Sequence, residues 1–83
     1  MQGPFNVVMR FKDEPHIIEH RRGHWVLLGV KDRTAWSLRH AKRLLREVSH
    51  DRRHTDFYDR FAIISECEPM PRPHEEARHE ADR

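Results

Sequence analysis

Eighty-three residues allow one domain with a marginal core, and a chain this short often gains stability from a partner. Charged residues make up 36% of it, yet sixteen Lys and Arg against fourteen Asp and Glu leave a net charge of only +2, so overall charge assigns no polyanionic partner. The lone cysteine, Cys67, excludes an internal disulfide and a Cys-rich zinc site, and no apolar run approaches the roughly 20 residues that span a bilayer.

The first twenty residues contain Arg10, Lys12, Asp13 and Glu14 and lack the apolar core of a signal peptide, so a cytoplasmic location with no membrane contact is expected. Phe5–Phe11 alternates, with Phe5, Val7, Met9 and Phe11 on one face and Asn6, Val8 and Arg10 on the other, which predicts a strand. Asp13-Glu14-Pro15 ends it. Segments 16–20 and 24–30 read as two further strands joined by Arg21-Arg22-Gly23, a turn whose glycine can take positive φ. Gly29 marks a bulge or a close backbone approach.

Residues 34–50 read as an amphipathic helix, with Asp32 or Thr34 as cap and Leu38, Ala41, Leu45 and Val48 as the apolar stripe. Phe57–Cys67 supplies a last strand. The expected fold is a small α+β domain over 1–68 in the order β-β-β-α-β, a mainly antiparallel sheet with one helix on one face. Residues 69–83, with Pro69, Pro71 and Pro73 and two similar charged pentads, read as a mobile tail.

One helix covers one face of a sheet, yet apolar residues occupy both. Trp25 and Leu27 oppose Val26, Leu28 and Val30, while Phe61 and Ile63 oppose Tyr58, Ala62 and Ile64. Either loops and the tail shield the second face, or a partner does; a partner there, either a target or another copy in a homodimer, is the expectation.

Trp36 is the most informative residue. On the predicted helix it points roughly 140° away from the apolar stripe, among Arg39, His40, Arg43 and Glu47. A large amphipathic ring beside cations suggests a contact surface. A later helix start would instead place Trp36 in the incoming loop, where it could fold under the sheet edge.

Catalytic chemistry finds no support. Cys67 lies between Glu66 and Glu68, which disfavour a thiolate, and Ser37, Ser49 and Ser65 lack a paired base or elbow motif. Eight histidines raise a metal question: His16, His20 and His24 share strand parity, and His50 and His54 share a helical face. Neither set supplies the converging three or four ligands that zinc needs, so neither a metal nor another cofactor is expected.

Two functions remain. The first is a non-enzymatic protein-interaction module, a small regulator or inhibitor of a host complex, with Trp36, Arg39, His40, Arg43 and Arg46 as partner-binding residues. In size and chemistry alone this profile is similar to that of small inhibitors encoded by phages and mobile elements, including anti-CRISPR proteins. The alternative is nucleic-acid binding. From Lys31 to His54 eight basic residues face three acidic ones, and Arg39 and Arg43 on the helix with Arg21 and Arg22 at the hairpin tip would contact phosphates. No helix-turn-helix, RNP pattern or zinc finger accompanies them.

Overall fold

A computed structural model describes residues 3–28, 35–76 and 79–80. Gly29 and Val30, the expected caps Asp32 and Thr34, and the cations Lys31 and Arg33 lie outside the described residues. The fold is the expected small α+β one. Strands β1 (Phe5–Phe11), β2 (Trp25–Leu27), β3 (Tyr58–Ser65) and the two-residue β4 (His79–Glu80) form an antiparallel sheet in the order β2-β1-β3-β4. Helix α1 (Leu38–Ser49) and the single turn α2 (Arg52–Thr55) connect β2 to β3.

The alternation of β1 sorts the core into two layers. Phe5, Val7 and Met9 join Leu28, Ala35 and Ile63 beneath Ala41 and Leu45 of α1, with Leu44 and Val48 flanking. On the opposite face Val8, Trp25, Ala62 and Ile64 form a second buried cluster. In register, Val7 faces Ile63 and Val8 faces Ala62, so each face of β1 meets the matching face of β3.

Three local corrections follow from particular interactions. The strand expected at 16–20 is a turn leading into a 3₁₀ helix at Glu19–Arg21. Ile17 is buried, but Ile18 next to it is 57% exposed. The Arg22 side chain holds the segment together by donating to the carbonyl oxygens of Ile17 and Pro15. Such side chain–backbone bonds offer the chain an alternative to a ladder.

Tyr58 lies on the helix face rather than beside Ala62 and Ile64. Arg10 pairs with Arg60 but Phe11 pairs with Tyr58, which leaves Asp59 as the extra residue of a bulge and reverses the parity before it. Asp59 then receives Nε and Nη2 of Arg10 at 3.2 and 3.0 Å, a bidentate pair. Tyr58 packs on the Phe11 ring at 4.6 Å between centroids, and burial raises its phenol pKa.

Helix α1 begins at Leu38, four residues later than expected. Ala35 is held in an isolated antiparallel bridge to Phe5, with N···O distances of 2.7 and 2.9 Å, so the chain is still extended there. Ser37, itself extended, then caps the helix by accepting from the His40 amide at 3.1 Å.

The second sheet face is covered from within. After a turn in which Glu68 N donates to Ser65 O, residues 69–76 return across it. The Trp25 indole donates to Glu75 O at 2.7 Å, and His74 N donates to Gly23 O at 2.9 Å. Gly23 has φ +74°, and a Cβ there would lie 2.3–2.6 Å from the His74 ring, so both backbone conformation and close approach require glycine. Residues 72–76 of the stretch read as a mobile tail are themselves exposed while making these contacts.

Candidate interaction surface

The site is built from the segment that enters α1. The bridge to Phe5 buries the Ala35 side chain completely. Trp36 follows in a bend ahead of α1 and is 80% exposed. It therefore precedes α1, and helical phase is not what exposes it. It does not fold back under the sheet edge. Leu38, at the first helical position, is also partly exposed.

Along α1, Ala41 and Leu45 face the sheet, and about 100° per residue places Arg39, Arg43 and Arg46 on the far side. All three are exposed, as are His40 near the helix start and Lys42 on the flank. None of the Arg39, Lys42, Arg43 or Arg46 side chains makes an ion pair or hydrogen bond among the described residues. Glu47 is the sole acidic residue on the helix. The first turn contains no acid, so Arg39 and His40 add to the positive end of the helix dipole rather than offsetting it. Lys42 belongs to this surface although its helical phase is lateral; a count of cations by exposure rather than by phase would have found it.

Among the described residues Lys12, Arg52, Arg60 and Arg72 likewise make no side-chain ion pair, whereas other cations off the helix are engaged. Arg10 is engaged by Asp59, and Arg53 pairs with Asp51 at 2.8 Å. The Arg53 side chain and amide together hold the Asp51 carboxyl down at a pKa of about 2. Arg22 is committed to the carbonyls of its own turn, and the Arg21 guanidinium lies over the Phe11 ring at 5.9 Å. The Arg21-Arg22 pair is therefore not a free hairpin tip.

The histidines are dispersed. His16 Nε2 lies 2.9 Å from Asp56 O, His24 Nδ1 3.2 Å from Arg22 O, and His50 Nδ1 2.8 Å from Arg46 O. His54 Nδ1 is buried without a hydrogen bond, 3.7 Å from Asp51. No cluster of three or more His, Cys, Asp or Glu side chains able to hold a metal occurs among the described residues. Cys67 is exposed and unpaired, and no helix among the described residues is long and apolar enough to cross a membrane.

A second surface, absent from the sequence reading, lies on the far side of the sheet. A groove of about 500 Å³ separates the end of β3 from the returning segment, and Ile64, Glu68, Met70, Glu75 and Glu76 are among its lining residues. The density of glutamates around the alternating prolines was its only trace in the sequence.

No family model, curated protein or solved structure matches the chain. The functional reading thus rests on the chemistry of these surfaces.

Proposed function

We propose that the protein is a non-enzymatic interaction module, a small regulator or inhibitor, that binds an acidic protein surface through Trp36 and the outer face of α1. The observation that carries this reading is an indole 80% exposed just ahead of a helix whose four exposed cations make no ion pair among the described residues. Trp and Arg dominate interface hot spots because one buries a large amphipathic area and the other donates through a rigid fork. Arg39, Arg43 and Arg46 would pair with partner carboxylates around an anchored Trp36, with His40 at the edge.

Nucleic acid offers the same helix a different partner, and the salt and nuclease responses separate the two. Of the second contact point of that alternative, Arg22 is engaged by the carbonyls of its own turn, while the exposed Arg21 lies over the Phe11 ring.

The test is affinity capture from an extract of the source cells after nuclease treatment, with wild type, Trp36→Ala and Arg39→Glu/Arg43→Glu. A nuclease-resistant protein partner is expected, with binding weakened about thirtyfold by Trp36→Ala. Capture abolished by nuclease, or indifferent to Trp36→Ala, would overturn the proposal.

A further inference from the structure

The two surfaces described above are complementary to each other. The Trp36 surface is apolar at its tip and cationic behind. The groove beside β3 is apolar at Pro69 and Met70, with the buried Ile64 at its floor, and anionic at its rim, where Glu68, Glu75 and Glu76 outnumber Arg72. Glu68 Oε1 accepts from the Ser65 amide and Glu75 Oε2 from the Arg72 amide, which fixes both carboxylates while leaving further lone pairs free. At about 500 Å³ the groove is large enough for one bulky side chain with smaller neighbours beside it.

A second copy of the chain carries the matching ligand. We infer that Trp36 of one molecule docks against Met70 and Pro69 in the groove of the next, with Arg39 and Arg43 on Glu75 and Glu76. Arg39 and Arg43 stand one helical turn apart, about 6 Å along the axis, so both reach one acidic rim. The charges oppose in sign: α1 has four cations against Glu47, while the groove lining has three carboxylates against one arginine. This inference rests on the reading of Trp36 as an anchor and names an occupant for it.

The contact uses different surfaces on the two molecules, so it is heterologous and leaves a free Trp36 face and a free groove at the ends of every open oligomer. Self-association then hides the surface offered to other acidic partners, and the concentration of the protein regulates its availability. An interface built on one aromatic and a few rim charges falls in the small, transient class, with a Kd on the order of 0.1 mM. Salt weakens it, because the pairs are exposed.

Sedimentation velocity across a concentration series tests this with wild type, Trp36→Ala and the double variant Met70→Arg/Glu76→Arg. Trp36 and Met70 are exposed, and circular dichroism checks that each variant retains the fold. Wild type should show an average mass that rises with concentration, and each variant should associate at least roughly tenfold more weakly. Mixing the variants is decisive: Trp36→Ala keeps an intact groove and the double variant an intact Trp36 face. Together they should form a one-to-one dimer that cannot grow.

A wild type that stays monomeric throughout, or variants that fail to complement each other, would overturn the inference. The same variants separate this failure from that of the proposed function. If Trp36→Ala loses a captured protein partner while wild type never self-associates, self-docking fails and the interaction reading stands. If the mixture forms the dimer while capture ignores Trp36→Ala, self-docking stands and the acidic-partner reading fails.

Discussion

The two faces of the sheet are buried by different means. On one, Ala41 and Leu45 of a capped twelve-residue helix seal Phe5, Val7, Met9 and Ile63. On the other, Val8, Trp25, Ala62 and Ile64 are sealed with the help of a proline-punctuated segment whose described contacts to the strand side are a few hydrogen bonds. A helix satisfies its own backbone and brings a continuous apolar stripe, so its cover is cooperative. An irregular segment satisfies its backbone piecemeal and brings little apolar area. The helix face should therefore dominate stability, and the opposite face should be the one that opens.

Leu45→Ala tests the stronger side and should have the largest effect. Leu45 is 1% exposed at the centre of the helix contact. Its truncation leaves a cavity and should cost about 3 kcal/mol, seen as a lower urea midpoint with an unchanged slope. A loss below about 1 kcal/mol would mean that α1 repacks freely and that the two faces are equal partners.

The difference between the faces also explains what could be read in the residues. Strand β1 was legible to its ends because seven residues alternate without interruption, and the apolar stripe of α1 was legible from its three-and-four spacing. The start of α1 was not, since the Phe5–Ala35 bridge is a contact between residues thirty apart. The turn at 16–20 owes its form to Arg22 reaching back to two carbonyls, and Tyr58 owes its face to one bulged residue. Neither leaves a periodic trace. Both apolar parities of the sheet were plain, but their cover was not, because an irregular segment has no repeat to recognise. Helical phase predicts an exposed Trp36, and the ring is exposed, but from the bend that precedes α1 and not from the helix.

Removing residues 69–83 tests the weaker side. The truncated chain should stay folded on the helix face and lose about 2 kcal/mol, the scale of re-exposing one large side chain. In a Trp36→Phe background the remaining indole, Trp25, reports directly: it loses its bond to Glu75 O, and its emission should shift to the red. Complete unfolding on truncation would show that the segment is as essential as α1. An unshifted Trp25 emission would show that the segment does not cover it.

The smallest effect on the fold is expected at Trp36, and it is the most discriminating. Its indole lies outside both layers, so Trp36→Ala should change stability by less than about 0.5 kcal/mol while weakening partner binding severely. Trp25→Ala should do the reverse, because Trp25 is 7% exposed and its ring is part of the second cluster. Denaturation and binding measured on both variants thus form a crossed pair: one tryptophan belongs to the core and one to the surface. If Trp36→Ala destabilises by more than about 1 kcal/mol, its ring packs against the protein in solution, and only the cations of α1 remain for a partner. If stability holds and binding falls, an exposed aromatic has been retained against the solvation it costs, and recognition by a partner is the physical account of why.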